Sequence, residues 1–306
     1  MKKRILGNTD IEISPIIMGC MRLTSLTEKD AAEFIENAVS LGINFFDHAD
    51  IYDNGKCETL FGKALKDTNI KREDIFIQTK CGIIPGKMYD LSKKHIRESV
   101  NSSLERMNID YIDALLLHRP DALVEPEEVA EAFNKLYTEG KVRYFGVSNH
   151  NSMQIELLQK YVERPLCFNQ MQISPAHTPM ITSGLEVNMT TEGAINRDGS
   201  VLDYCRLNNI TIQAWSPFQH GFIEGPFLTN PDFAPLTSTL TKIGQKYGVS
   251  ATTIVASWLL RHPCNMQVIA GTMKKKRLEE IYLAEKLEIT REEWYEIYMA
   301  AGNMLP

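Results

Sequence analysis

The sequence predicts an α/β protein folded as a single (β/α)8 TIM barrel with extended loops at its C-terminal mouth. Three observations carry that expectation. Short β-rich runs alternate with longer amphipathic runs about eight times, the rhythm of such a barrel. The 306 residues are 43% hydrophobic and 24% charged, ordinary for a globular chain and enough for a large core. Asp47, Lys80, His118, Ser148, Gln170 and Trp215 each close an expected strand or stand just past one. In a closed parallel barrel those ends converge on one mouth, whereas in an open sheet they would not all meet. No linker or low-complexity tract interrupts the chain, so residues 1–306 read as one domain.

The elements follow in order. The apolar run 16–19 opens the pattern as a strand. Over 27–40, Ala31, Phe34, Ile35 and Ala38 share one helical face. A strand over 43–46 and a helix around 59–65 come next, then a strand over 75–79. In the helix expected over 92–107, Ser92 is the N-cap, and Ile96, Val100 and Leu104 recur at four-residue spacing. A strand over 111–117 leads to a helix over 126–137, whose leading Pro126 suits a first turn that needs no N–H. Strands over 142–147, 168–170 and 210–215 alternate with helices over 152–160 and 201–207. Two helices, 236–247 and 252–260, precede a strand over 267–269. Helices over 275–284 and 291–300 end the pattern. The segment Ser174–Ser200, with Pro175, Pro179, Gly184, Gly193 and Gly199, is long for a strand-to-helix connection and is expected to be a lid over the mouth.

Charge and cysteine usage narrow the function. Lys plus Arg number 33 against 39 Asp plus Glu, a net charge of −6. That balance argues against a nucleic-acid or acidic-membrane binder, which draws its affinity from a basic face. The six cysteines include no Cys-x-x-Cys pair and fit a reducing, cytoplasmic compartment. The basic start Met1-Lys2-Lys3-Arg4 is followed by Asp10, Glu12 and Pro15 rather than an apolar run, so no signal peptide is expected. No apolar stretch approaches the ~18 residues of a membrane span.

No two glycines are spaced Gly-x-Gly, so a Rossmann fingerprint is absent, and Gly86-Lys87-Met88 is no phosphate loop. The dense polar segment is Asp47-His48-Ala49-Asp50-Ile51-Tyr52. A metal site built from Asp47, His48, Asp50 and His118 is disfavoured. Neighbours on a strand end point to opposite faces, and no helical His pair supports zinc.

Asp47 and Tyr52 are five apart, with Gly42 before and Glu58 after. In this segment the chain resembles the aldo-keto reductases. The resemblance continues in order through Ile77-Gln78-Thr79-Lys80, Leu115-Leu116-Leu117-His118-Arg119-Pro120 and Gly146-Val147-Ser148-Asn149. Asp-His-Ala-Asp-Ile-Tyr, with His48 where Thr or Ser is usual, resembles a bacterial YdhF-like branch. Each motif alone has an ordinary reading: Lys80 as a solvated strand end, His118 as a loop residue, Trp215 as a core aromatic. Four motifs in register outweigh those readings.

The resemblance implies an NADPH-dependent oxidoreductase that reduces an aldehyde or ketone. Tyr52 is then the proton donor, Lys80 its neighbour, Asp47 the support for Lys80, and His118 the group that orients the carbonyl. An adjacent ammonium favours the phenolate and is expected to lower the tyrosine's pKa. Ser148, Asn149 and Gln170 match the carboxamide ligands, and Trp215 with Ser216 the wall beside the nicotinamide. Gly271, Thr272, Lys274 and Arg277 match a loop for the adenosine 2′-phosphate, and Glu280 an adenine contact, with Ile281 in place of the usual Asn. No metal is implied. The other partner is a small carbonyl substrate, expected to be uncharged because Tyr89, Phe218, Phe222 and Phe227 dominate the loops. A cofactor-binding regulatory subunit with little turnover is the alternative on the same barrel.

Overall fold

The computed structural model describes residues 4–6, 9, 11–195, 199–221 and 224–303. Met1 to Lys3, Asp10, the 196–198 part of the long loop, and Phe222 lie outside the described residues. Eight parallel strands close into a barrel: β1 (Ile16–Gly19), β2 (Phe45–Asp47), β3 (Phe76–Cys81), β4 (Ile112–Leu117), β5 (Val142–Ser148), β6 (Leu166–Gln172), β7 (Thr211–Trp215) and β8 (Gln267–Ala270). Each pairs with the next in sequence, and β8 returns to β1 through Val268 opposite Ile16.

Around the barrel lie α1 (Glu28–Ser40), α2 (Lys56–Lys66), α3 (Lys93–Met107), α4 (Pro126–Thr138), α5 (Ser152–Gln159), α6 (Pro179–Leu185), α7 (Val201–Leu207), α8 (Ala234–Tyr247), α9 (Ala251–Leu260), α10 (Lys275–Tyr282) and α11 (Arg291–Ala300). Ser92 caps α3 by accepting from the His95 N–H. Thr27 caps α1 rather than joining it, accepting from the Asp30 N–H. The helix expected over 275–284 ends at Tyr282, where a 3-10 turn, Leu283–Lys286, takes over.

Alternation along the strands decides what reaches the interior. On β2, Phe45 packs inward on Phe76 with ring centroids 4.5 Å apart, while Phe46 packs outward on Phe61 of α2. On β3, Phe76, Gln78 and Lys80 face in. Thr79, between them, faces out and donates to Glu58 of α2. Leu6 and Ile13 belong to the same apolar cluster as Phe45, Phe76 and Phe168. They are carried by a short hairpin, Arg4–Ile5 with Glu12–Ile13, that covers the N-terminal end of the barrel.

The mouth has two further hairpins, Ile83–Ile84 with Met88–Tyr89 after β3, and Gln219–His220 with Gly225–Pro226 after β7. The segment expected to be a lid begins at the mouth, where Ser174 Oγ donates to the Gln219 carbonyl at 3.1 Å. Its described part carries α6, which is tied to the last helix: the Tyr298 hydroxyl donates to Thr182 Oγ1 at 2.9 Å, and Thr178 Oγ1 donates to Asn303 Oδ1 at 3.0 Å. Those bonds fasten α6 to the C-terminal helix and the residues after it. Among the described residues, no helix is long and apolar enough to cross a membrane.

Helices α2 and α3 touch backbone to backbone at Gly62. A Cβ there would lie 2.3 Å from the Met107 carbonyl oxygen, and backbone cannot swing aside. We expect Gly62→Ala to destabilise the fold by about 1–3 kcal/mol. Gly184 of α6 has no such neighbour, its nearest atom being Asp203 Oδ2 at 4.0 Å. Gly184→Ala should be neutral or slightly stabilising through helix propensity. Urea midpoints of the two variants check the contrast.

Candidate active site

The strand ends assemble a buried ion pair. Lys80 Nζ, fully buried, lies 2.9 Å from both carboxylate oxygens of Asp47, 2.5 Å from the His48 carbonyl oxygen and 3.0 Å from the Tyr52 hydroxyl. The ammonium thus gives its N–H donors to a carboxylate, a carbonyl and a phenol oxygen, which is all an ammonium has to give. Lys80 and Asp47 face inward from β3 and β2. Tyr52 arrives on a tight turn whose next two residues, Asp53 and Asn54, take positive φ of 46° and 53°.

Burial pulls the Lys80 pKa down, but Asp47 and the Tyr52 oxygen more than offset it, and the net shift is upward. Lys80 therefore stays charged. Tyr52 departs from the sequence expectation. Burial raises its pKa first, and Asp47 adds to that; Lys80 lowers it, but not enough, so the net shift is also upward. The phenol keeps its proton at neutral pH while a cation stands beside its oxygen. Burial, then Lys80 and Arg119, hold the His118 pKa well below its ordinary value, so its ring is neutral and keeps one N–H to donate. Its ring meets Tyr52 edge to face, with centroids 6.1 Å apart. His48 faces outward, its ring centroid 4.5 Å from Phe61, and burial lowers its pKa to about 3. Asp47 and His48 thus part to opposite faces.

A cavity of about 890 Å³ opens above the pair, within the range of small-molecule sites, roughly 300–1,000 Å³. Asp47, Tyr52, His118, Ser148, Asn149, Gln170, Trp215, Ser216, Gly271, Thr272, Lys274 and Arg277 all line it. One wall is a relay of polar groups. Trp215 Nε1 donates to Asn149 Oδ1 at 3.2 Å, Asn149 Nδ2 to Ser148 Oγ at 2.8 Å, and Ser148 Oγ to the Gln170 carbonyl at 2.9 Å. Asn149 and Ser216 are held at positive φ, 58° and 48°, the kind of strain that collects at functional sites.

At the far end α10 begins after Lys274, which caps it with no side-chain bond. Its first turn holds Lys275, Lys276 and Arg277, cations that oppose the helix dipole and suit an anion. Glu280 is not brought to the cavity. It lies one turn on, where its carboxylate accepts from Ser250 Oγ at 3.3 Å, and Thr252 of α9 lines the cavity instead. The lining also includes Arg22, Arg119 and Met21, which no sequence motif singles out as ligands. Arg22 Nη1 donates to the Gly271 carbonyl at 3.4 Å, and Arg119 follows His118 directly. None of the described residues of 174–200 lines the cavity.

Behind Tyr52 sits a second buried network. Glu58, fully buried, accepts from Thr79 Oγ1 at 2.6 Å and from Arg106 Nε at 2.7 Å. Asp50 shares that space, and its N–H donates to the Lys80 carbonyl at 3.0 Å. Burial, then the Glu58 charge, push the Asp50 carboxyl up to about 7.

A closed parallel barrel with a cation-supported phenol and a neutral imidazole at its mouth, beside a long groove that ends in a basic helix start, defines a barrel oxidoreductase. The chain belongs to the Aldo/keto reductase family, whose model matches residues 15–300. It is 35% identical to the oxidoreductase YdhF of Escherichia coli, over 95% of this chain and 94% of that protein. It is equally similar, 35%, to a 6-dehydroglucose reductase of Novosphingobium aromaticivorans, over 99% and 97% of the two chains. The solved structure of the thermostable aldo-keto reductase Tm1743, determined with the inhibitor epalrestat, superimposes with a TM-score of 0.76 at 25% identity, covering 98% of this chain and all of that one. The protein is an NAD(P)H-dependent oxidoreductase of this family.

Asp50 yields a pH prediction. In the unfolded chain it ionises at ~4, whereas in the fold it ionises only at about 7. The folded state therefore holds an extra proton between those values, and stability falls as pH rises through that window. Asp50→Asn removes this penalty. Its gain in melting temperature over wild type should be small at pH ~4.5 and largest above pH ~7.5. Buried neutral histidines such as His48 act oppositely on acidification, so the measurement is variant against wild type at each pH.

Proposed function

We propose that this protein reduces a small aldehyde or ketone to the alcohol with NADPH, Tyr52 acting as general acid. The observation that carries the reading is the contact of Tyr52 Oη with Lys80 Nζ at 3.0 Å, itself held by Asp47 at 2.9 Å. When bound, the cofactor supplies a hydride to the carbonyl carbon. Tyr52 gives its proton to the carbonyl oxygen, and the phenolate left behind faces the Lys80 ammonium. A neutral His118 donates its N–H to the same oxygen, so developing charge meets fixed donors.

The donor set fits a nicotinamide cofactor. Ser148, Asn149 and Gln170 offer amide-binding groups beside the flat face of Trp215. Gly271 is lined up against Arg22, which a Cβ would approach at 3.3 Å, leaving a narrow passage toward Thr272, Lys274 and Arg277. The exposed cations at the start of α10 favour the form with an additional 2′-phosphate. Contact among all four residues of the tetrad supports turnover over a purely regulatory role. For the substrate, the relative named for 6-dehydroglucose supports a hydroxylated aldehyde, and Tyr89 and Arg119 in the lining offer donors for hydroxyls. Six free, buried cysteines fit a reducing compartment such as the cytoplasm.

The test is NADPH oxidation followed by absorbance across a panel of sugar-like and simple aldehydes. Tyr52→Phe should lower turnover ~10²–10⁴-fold with NADPH affinity nearly unchanged; near-normal turnover sinks the mechanism. Lys80→Met should be comparable, and Asp47→Asn milder. Tight NADPH binding by wild type without turnover on any carbonyl would favour the regulatory alternative.

Cofactor choice is tested separately. Replacing Lys274 and Arg277 together by Ala should weaken NADPH far more than NADH, measured by fluorescence titration. Equal losses would mean that these side chains do not read the 2′-phosphate.

A further inference from the structure

Barrels of this kind fill their interior with layers of mostly branched apolar side chains. Here the apolar layer of Phe45, Phe76 and Phe168 is followed by amides. Gln78 of β3, Gln170 of β6, Gln213 of β7 and Gln267 of β8 all point into the barrel, and none is more than 3% exposed. Burying a primary amide is costly unless its donors and acceptor find partners.

They find each other, in a ladder that climbs from the N-terminal end to the reactive mouth. Gln267 Nε2 donates to the Ser14 carbonyl at 3.0 Å. Gln213 Nε2 donates to Gln267 Oε1 and to Gln78 Oε1, both at 3.1 Å. Gln78 Nε2 donates to Gln213 Oε1 at 2.8 Å and to Asp47 Oδ1 at 2.7 Å. Gln170 Nε2 makes the same pair of bonds, at 3.2 and 3.1 Å.

The direction of every amide follows from the two ends. A carboxylate only accepts, so Gln78 and Gln170 must turn their NH2 groups toward Asp47. The Ser14 carbonyl also only accepts, so Gln267 turns its NH2 downward and its oxygen upward. Gln213 stands between and satisfies both sides, donating to two oxygens and accepting from two NH2 groups. A layer of aliphatic side chains of similar shape would remove the amides' own need for partners, but would take their donors from the Ser14 carbonyl and from Asp47 Oδ1. What the aliphatic layer could not do is hold Asp47.

We propose that Gln213 is a positioning residue for the reaction: through Gln78 and Gln170 it fixes the one orientation of the Asp47 carboxylate that aims Lys80 at Tyr52. Gln213 makes none of the hydrogen bonds of Lys80 or Tyr52 itself. This role rests on the reading of Tyr52 as proton donor.

The test is a double-mutant cycle. Gln213→Met keeps length and volume and removes both donor and acceptor. It should lower kcat, up to about 100-fold for a misplaced reacting group, while KM and the Kd for NADPH hold. Asp47→Asn lowers kcat on its own. If both act through the same carboxylate, the double variant should be no slower than the slower single variant, to within about twofold. Losses that multiply overturn the proposal, because they show a general loosening of the barrel. So does a Gln213→Met protein with wild-type kcat, or one that loses NADPH affinity in step with kcat. If Gln213→Met does not fold, Gln267→Met decides the matter. It touches only the lower end of the ladder and should show the same fall in kcat, smaller, with the same non-additivity against Asp47→Asn; unchanged kcat there overturns the ladder. The two readings fail distinguishably. Near-normal turnover by Tyr52→Phe ends the acid mechanism, whereas an inactive Tyr52→Phe beside a fully active Gln213→Met ends only the positioning role.

Discussion

The buried ammonium of Lys80 is the constraint around which the mouth is built. Withdrawing such an ion from water costs several kcal/mol even after relaxation, and a partial set of partners would not repay it. The site answers with a complete set: carboxylate, carbonyl and phenol oxygen, each within 3.0 Å. That demand reaches the backbone. The His48 carbonyl is available because β2 ends at Asp47 and the chain turns there, with the His48 N–H donating to the Gln78 carbonyl of the neighbouring strand. Lys80 thus sets the length of β2 and the path of the turn that delivers Tyr52.

Charge is distributed to match the chemistry. One full positive charge is kept beside the phenol, while the nearest imidazole is kept neutral by burial and by that same charge. A second cation at His118 would repel Lys80 and would have no proton acceptor role to offer. The neutral ring instead keeps an N–H to donate without adding to the field. On the outer side of the turn, the buried Glu58 pairs with a partly exposed Arg106, leaving Asp50 crowded by an acid and shielded from water. The turn that carries Tyr52 is therefore clamped from the interior by Lys80 and from the helix side by α2 and α3.

The barrel was legible because buried parallel strands read as apolar runs and the helices as amphipathic ones, and because strand ends in such a fold share a single mouth. The four residues that meet around the ion pair were legible because they sit in local motifs. The short hairpins were not. Strands of two residues, such as Ile83–Ile84, have no period to detect. How Ser174–Ser200 is held was not legible, because glycine and proline mark irregular backbone but not the surface it packs on. That is decided by Thr178 and Thr182 meeting Asn303 and Tyr298, more than a hundred residues away. Glu280, which the resemblance implies as an adenine contact, lies outside the cavity lining and accepts from Ser250 Oγ at the cap of α9. The pKa of Tyr52 was read from one neighbour, when burial by the whole wall outweighs that neighbour.

The glutamines show the deeper limit. A single Gln in a strand reads as an ordinary polar residue, and nothing local distinguishes Gln78 or Gln213 from a solvated position. Their meaning lies in the closure of the barrel. Only when β3 and β7 stand on opposite sides of one interior can Gln78 reach Gln213 across 135 residues of sequence. Closure also explains why they are tolerated. In an open sheet an inward amide would face a helix and its aliphatic side chains, with few donors or acceptors to meet. In the barrel it faces other strands whose inward positions are in register, Gln170 opposite Gln213 and Gln213 opposite Gln267. The same geometry that gathers strand ends into a mouth therefore gathers mid-strand amides into a column beneath it. The carboxylate at the top of that column is held by the interior of the fold, through Gln78 and Gln170 as well as Lys80.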